Sequence, residues 1–344
     1  MNEDQILIVD TTKRILNDYC GKQVVDASES GQWAGALWDA FESSGLSLAN
    51  VPESLNGSGG QFSDSLLIIR EAAKFAAPIP LADTLIASTL LSELNAQVPK
   101  GPIGIGVGEL NFIEDPESVH VFGRVDALSF GNDCDHWLLI GEDQMCLVSR
   151  QTASDTVDVQ THRNIAGEPY VTVIFNKNID GGRLFACPDV AERTQQLGAI
   201  TRVQLMSGAL SSMLELSVQY ALEREQFGRP IAQFQAIQQQ LAILAGEVAA
   251  CQRAADSLLQ APEIFNTAVA KSRVGDAVAP VCDIAHQVHG AMGYTREHAL
   301  NLRSRRLWVW RDEYGEEVYW QTRLGADLCM SGADGLWKRI CEAG

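Results

Sequence analysis

Residues 220–242, YALEREQFGRPIAQFQAIQQQLA, form the most informative stretch of this chain. Two helix-like segments flank a turn, because Gly228 and Pro230 both interrupt a helix. A simple helical hairpin explains most of these residues. It does not explain why a cation, amides and aromatic rings are grouped about one turn, as Arg224 and Phe227 are. That grouping indicates a binding site at the turn.

A second motif lies about 60 residues further along the chain, in QVHGAMGYTREHALNLRSRR at residues 287–306. Small residues in such a loop let backbone N–H groups approach a ligand closely, as phosphate binding requires. A single G-x-x-G pattern is weak evidence for such a site. Two motifs are much stronger evidence when they match one family in order and spacing, as these two do.

The two motifs together resemble those of the acyl-CoA dehydrogenase family, with Ala291 in place of one family glycine. The chain resembles a short bacterial member of that family, similar to the subunits of heterotetrameric steroid-degrading acyl-CoA dehydrogenases. SGLSLANVPESLNGSGG at residues 44–60 also resembles a family stretch. In that family the two motifs contact FAD across a dimer interface. The resemblance implies that the FAD contacts are Arg224, Gln226, Phe227, Gln235, Gln287, Gly290, Ala291 and Gly293.

The hydrophobic pattern changes twice along the chain. Helical periodicity up to about residue 100 gives way to short runs rich in Val, Ile and Phe, which predict a small antiparallel β domain. Helical periodicity then returns, with a 4-3-4-3 seam through Ile237, Leu241, Leu244, Val248 and Cys251 that is typical of a helical bundle. We therefore predict an α+β, mainly α fold. Its expected domains are an N-terminal helical domain (1–100), a middle β domain (101–188) and a C-terminal four-helix bundle (189–344).

The middle segment departs from the family pattern. The family's loop over the flavin is shortened here to GIGVGELNFIEDPES, at residues 104–118. Ser129 falls where a family Thr hydroxyl meets the flavin, and serine can also donate that hydrogen bond. The alternative is an ordinary strand serine. In the bundle, Arg202 matches an arginine near the family's active site, which implies a substrate-binding role.

WRDEYGEEVYW, residues 310–320, contains the candidates for a catalytic base. Alignment from Gly290 places the family's catalytic Glu on Tyr314, and a phenol is a poor base at neutral pH. A shift of one residue instead selects Glu313, which is our first choice, and Asp312 and Glu316 are the second choices. The alternative is a solvated acidic helix start, because carboxylates interact favourably with a helix N-terminus.

The resemblance implies α,β-dehydrogenation of an acyl-CoA thioester, with FAD as the cofactor and an electron-transferring flavoprotein as the electron acceptor. Such chemistry belongs to fatty acid or steroid side-chain degradation. A homo- or hetero-oligomer with a homologous subunit is expected. Two alternatives stay open: a non-catalytic or half-site subunit of a heteromeric acyl-CoA dehydrogenase, and a flavin oxidase or monooxygenase on the same fold.

The composition further limits the kinds of partner that we expect. The chain has 344 residues and a formal charge of −18, which disfavours nucleic acids and anionic membranes. Its start lacks the features of a secretion signal, and a cytoplasmic protein is expected. Eight cysteines show neither C-x-x-C pairs nor histidines at zinc-ligand spacing, so we expect no metal site and reduced core thiols.

Overall fold

The computed structural model describes residues 1–154 and 157–342, which form two compact units. The first unit comprises Met1–Ile68 and Ala77–Gly198, and the second comprises Ile69–Ala76 and the chain from Ala199 onward. Helices are followed by strands and then by helices, so the predicted α+β, mainly α fold is confirmed. The division into three domains stays a prediction.

The first unit begins with helices. They are α1 (Glu3–Tyr19), α2 (Lys22–Glu29), α3 (Gly35–Ser43), the first half of α4 (Phe62–Lys74) and α5 (Leu81–Glu93). Helix α1 starts with a capping box, in which the side chains of Asn2 and Gln5 each accept from the other residue's backbone N–H. Leu37 and Phe41 of α3 are buried, as helical periodicity requires.

A seven-stranded sheet completes the first unit. Its strands are β1 (Ile103–Glu114), β2 (Ser118–Ser129), β3 (His136–Ile140), β4 (Gln144–Ser149), β5 (Asp158–Arg163), β6 (Pro169–Asp180) and β7 (Arg183–Ala186), with a short helix α6 (Arg150–Ser154) after β4. The strand order is β5-β6-β2-β1-β3-β4-β7.

The predicted antiparallel pairing needs one correction, because β1 and β3 are parallel. Strand β2 pairs antiparallel with one edge of β1, and the chain then returns to the other edge in the direction of β1. Trp137 of β3 is fully buried and its ring meets Phe175 edge-on, with 6.4 Å between centroids. Its indole N–H donates to the Gly131 carbonyl at 2.9 Å, which satisfies the buried donor.

The second unit is helical apart from a short hairpin of β8 (Glu225–Gln226) and β9 (Arg229–Pro230). Its helices are the second half of α4, α7 (Val190–Glu223, entering the unit at Ala199), α8 (Gln235–Gln260), α9 (Ile264–His289), α10 (Ala291–Tyr294), α11 (Ala299–Asp312) and α12 (Glu317–Glu342). The backbone of α12 is non-helical at Gly332.

The predicted bundle seam lies on α8. Leu244, Val248 and Cys251 are fully buried, while Ile237 and Leu241 are partly buried. Helix α9 packs along α8 on one side and along α11 and α12 on another. The bundle thus depends on α9, whose central residues are almost entirely buried.

Cysteine burial agrees with the sequence only in part. Five cysteines are buried free thiols, at positions 20, 134, 146, 251 and 282. Cys187 is partly buried, and Cys329 is exposed, so the prediction of a core thiol is wrong there because Cys329 lies on the outer face of α12. The Cys341 side chain lies outside the described part of the chain. Within the residues that the structure describes, no helix is both long and apolar enough to span a membrane.

Candidate active site

The acidic stretch spans the end of α11 and the start of α12. Glu313 caps α11, and its backbone N–H donates to the Val309 carbonyl at 3.2 Å. Tyr314 (φ 53°) and Gly315 (φ 91°) then reverse the chain in the left-handed region. Such a conformation is unusual for tyrosine, so the surrounding structure must hold this loop in place.

The four carboxylates of this stretch lie in different environments. Asp312 and Glu316 are exposed. Glu317 is buried at the first position of α12 and is hydrogen-bonded to the Arg311 side chain. The expectation of a solvated helix start therefore does not describe Glu317.

Glu313 forms an ion pair with Arg202, an arginine of α7. Arg202 Nε donates to Glu313 Oε2 at 2.6 Å, and the two side chains are 6% and 21% exposed. The guanidinium also lies over the Tyr314 ring, 4.7 Å from its centroid. The structure thus brings together two residues that sequence reasoning placed in one site, Arg202 and Glu313.

Aromatic rings of the same stretch pack against arginines. Tyr314 packs on the Arg202 guanidinium, and Trp308 packs against that of Arg311 at 5.3 Å. Trp320, which the sequence analysis did not select, is fully buried, and its indole N–H donates to the Tyr314 carbonyl at 2.9 Å.

Lys271 of α9 is a second residue that sequence reasoning missed. It is 1% exposed, and its ammonium donates to the carbonyls of Arg311 at 2.6 Å and Gly315 at 2.8 Å. Burial lowers the pKa of Lys271 to about 8, although the carboxylates of Glu317 and Glu313 act in the opposite direction. The only signal for it in the sequence is one lysine among the small and apolar residues of α9.

The first sequence motif forms the exposed hairpin β8–β9. Arg224, Gln226 and Phe227 are all exposed there, and Phe227 has 93% of its surface accessible. Phe227 (φ 53°) and Gly228 (φ 77°) form the tight turn. Gln235 is exposed at the start of α8, close in sequence to the hairpin.

The second motif follows α9. Gln287 and Ala291 are exposed, while Gly293 is buried. Gly290 (φ 59°, ψ −143°) has a backbone conformation that is essentially restricted to glycine. A Cβ atom on Gly293 would lie within 3.1 Å of three neighbouring atoms, so this position needs glycine for close packing.

An aromatic and histidine cluster joins the two motifs. Tyr220, which precedes the hairpin, stacks on His289 with centroids 4.6 Å apart. The His289 ring meets His298 at 4.6 Å, and His286 stacks on Tyr294 at 4.4 Å. Burial lowers the pKa of all three histidines. The motifs are therefore adjacent in space as well as ordered in sequence.

One predicted flavin contact, Ser129, belongs to the first unit. Ser129 is the partly buried last residue of β2 in the first unit, and its pairing partner across the sheet is Tyr170. Among the described residues, no group of three His, Cys, Asp or Glu side chains is arranged to hold a metal ion.

Comparison with known proteins identifies the family. The acyl-CoA dehydrogenase N-terminal domain profile matches residues 2–95, and the acyl-CoA dehydrogenase C-terminal domain profile matches residues 189–311. The chain is 26% identical over 313 residues to acyl-CoA dehydrogenase IpdE2 of Mycolicibacterium smegmatis, covering 89% of this chain and 93% of that protein. The chain belongs to the acyl-CoA dehydrogenase family, whose members are in general FAD-containing oxidoreductases.

Solved structures show the same fold. The ChsE4-ChsE5 complex from Mycobacterium tuberculosis contains a chain with a TM-score of 0.84 and 20% identity, covering 97% of this chain and 99% of that one. Butyryl-CoA dehydrogenase from Megasphaera elsdenii gives a TM-score of 0.84 at 17% identity, with coverages of 96% and 99%. The two domain profiles confirm the family resemblance drawn from the motifs.

Proposed function

We propose that this chain is a subunit of an FAD-dependent acyl-CoA dehydrogenase in which Glu313 takes the α-proton of an acyl-CoA thioester. The observation that carries the proposal is the partly buried ion pair between Glu313 and Arg202. A carboxylate base must be held in one orientation and shielded from water to remove a weakly acidic proton. Asp312 and Glu316 are exposed and meet neither condition.

Neighbouring side chains give Glu313 a fixed position. Arg202 binds one carboxylate oxygen, and Tyr314 covers the guanidinium, so rotation of either partner would break a contact. The N–H of Trp320 holds the carbonyl of Tyr314, next in sequence to the base. In the proposed reaction Arg202 orients the carboxylate and helps to bind the substrate, and Glu313 receives the proton.

The two motifs fit FAD chemically. The exposed Arg224 guanidinium offers a planar set of donors for diphosphate oxygens, and Gln226, Gln235 and Gln287 offer amides. Open space surrounds Gly290 on the side where a side chain would lie, so a ligand is able to approach the backbone near the end of α9. Phe227, Ala291 and Gly293 complete the proposed cofactor set, with Ser129 as a further hydrogen-bond donor. FAD, when bound, supplies the acceptor for the β-hydrogen.

Exposure of the hairpin supports an oligomer. An aromatic ring as accessible as Phe227, at 93%, buries almost none of its apolar surface within this chain. We propose that a homologous subunit covers it, in a homo- or hetero-oligomer, and that an electron-transferring flavoprotein accepts the electrons. The half-site alternative, in which the partner chain completes the site, has the same observation in its favour.

Anaerobic titration tests the proposal. The chain should be purified alone and together with a homologous subunit encoded near it, and its flavin content should be measured from the visible spectrum. Addition of acyl-CoA substrates of differing chain length and ring content should bleach the flavin in at least one of the two preparations. Absence of FAD from both preparations would reject the proposal. Flavin reduction only with a non-CoA substrate would support the oxidase alternative.

A further inference from the structure

One buried side chain holds the loop of the proposed base at both ends. The Lys271 ammonium, on α9, donates to the carbonyl of Arg311, which precedes the loop, and to that of Gly315, which ends it. An ammonium has three N–H donors, so one side chain is able to bind both acceptors simultaneously. Between the two carbonyls lie residues 312–314, including Glu313.

The loop needs such a restraint because of its backbone. Tyr314 and Gly315 both have positive φ angles, a conformation that tyrosine rarely adopts. Helix α11 ends at Asp312, so carbonyls of its last turn lack partners within the helix. Lys271 supplies a partner for the Arg311 carbonyl and places positive charge at the negative end of the helix dipole.

Charged groups around Lys271 come from several elements. The carboxylates of Glu317, Glu313 and Asp312 lie near enough to favour the charged ammonium, whereas Arg202 disfavours it. Glu313 therefore lies within the influence of two cations, Arg202 on α7 and Lys271 on α9. Arg202 is hydrogen-bonded to the Glu313 side chain, whereas Lys271 acts on the backbone on either side.

We propose that Lys271 is a positioning residue for the catalytic base, fixing the loop so that the Glu313 carboxylate stays at Arg202. This inference rests on the proposed function, in which Glu313 takes the proton. Displacement of a reacting group by about 1 Å costs on the order of 10²-fold in rate. Loss of the two carbonyl contacts would permit a displacement of that size.

Kinetics of three variants test the inference. Lys271→Met keeps a side chain of similar length but removes the ammonium and with it both hydrogen bonds. Lys271→Gln keeps an amide donor. Arg273→Gln is the matched control, because Arg273 lies on the same helix but binds Glu247 of α8. Lys271→Met should lower kcat by about 10- to 100-fold with KM and FAD content unchanged, since only positioning is lost. Lys271→Gln should be intermediate, and Arg273→Gln should match the parent.

Backbone amide hydrogen exchange provides a readout independent of activity. Lys271→Met should speed exchange at residues 313–317 by at least about tenfold, while central amides of α7 and α9 keep their protection. Parental kcat, or unchanged exchange in this loop, would overturn the inference. Faster exchange throughout the second unit would also overturn it, because Lys271 would then support the whole bundle.

The two proposals fail in different ways. If the parent protein binds FAD but no acyl-CoA reduces it, the proposed function fails, and positioning of a base by Lys271 fails with it even if the loop exchanges faster. If the parent is active and Lys271→Met is equally active, only the role of Lys271 fails. Should Lys271→Met not fold, the same measurements on Lys271→Gln decide the question.

Discussion

Arg202 and Glu313 are 111 positions apart in sequence, and a 2.6 Å hydrogen bond joins their side chains. Arg202 is supplied by α7 and Glu313 by the residue that caps α11, so the pair links the first long helix of the second unit to the loop before α12. Because the arginine is almost fully buried, its charge depends on this carboxylate for compensation.

Removal of Arg202 should destabilise the protein. Arg202→Met leaves the Glu313 carboxylate without its charged donor, which should lower the free energy of unfolding by about 1.5–3 kcal/mol. Arg193→Met is the control on the same helix, because Arg193 pairs with Glu93 at a more exposed position and should cost about 0–1 kcal/mol. Equal losses in urea unfolding would contradict the importance of the Arg202 pair.

FAD affinity should depend on the exposed hairpin. Arg224→Ala removes a charge-assisted contact to the diphosphate worth about 1.5–3 kcal/mol, which corresponds to a roughly 10- to 150-fold weaker Kd for FAD. Arg253→Ala, at an exposed position of α8, serves as the control and should leave binding unchanged. A loss of melting temperature without any loss of flavin in Arg224→Ala would make Arg224 a structural residue instead.

Replacement of glycine by alanine should have opposite effects on stability at two positions. Gly290→Ala places a Cβ in a backbone region that only glycine adopts readily, at a cost of about 1–3 kcal/mol. Gly246 lies within α8 with open space around it, so Gly246→Ala should stabilise the helix by about 0.5–1 kcal/mol. The melting temperature of Gly290→Ala should lie below that of the parent, and the melting temperature of Gly246→Ala should lie above it. Any other order would contradict these roles of the two glycines.

Stability should fall in mild acid because of the histidine cluster. Burial lowers the pKa values of His286, His289 and His298 in the folded state, so below about pH 6.5 the unfolded chain binds more protons. The contribution of the three neutral histidines to stability is therefore fully present above that pH, and it is lost as the pH falls further. His289→Phe keeps an aromatic ring against Tyr220 and should reduce the decline between pH 7 and 5.5. An unchanged slope of melting temperature with pH would contradict this role.

Local sequence signals predicted the motifs and the bundle well. The predicted turn is present as a hairpin, although α7 already ends at Glu223, and Gly228 and Pro230 lie within the hairpin itself. The apolar steps of α8 face the core as expected. Alignment ranked Glu313 above its acidic neighbours, but the sequence could not show how these carboxylates differ, because that depends on the left-handed backbone of Tyr314 and on Arg202, over one hundred residues earlier. Lys271 was missed for a similar reason, since its partners are backbone carbonyls that carry no side-chain signature.

The role of Glu313 as the base is tested most directly by the rate of anaerobic flavin reduction by acyl-CoA in the assembled complex. This rate should be compared between the parent, Glu313→Gln and Glu316→Gln. Glu313→Gln should retain FAD and bind acyl-CoA normally, yet slow reduction by on the order of 10² to 10⁴, the usual contribution of a positioned base. The exposed Glu316 should be replaceable without loss of rate. Flavin reduction at the parental rate in Glu313→Gln would contradict the role of Glu313 as the base and assign that role to another residue or to the partner chain.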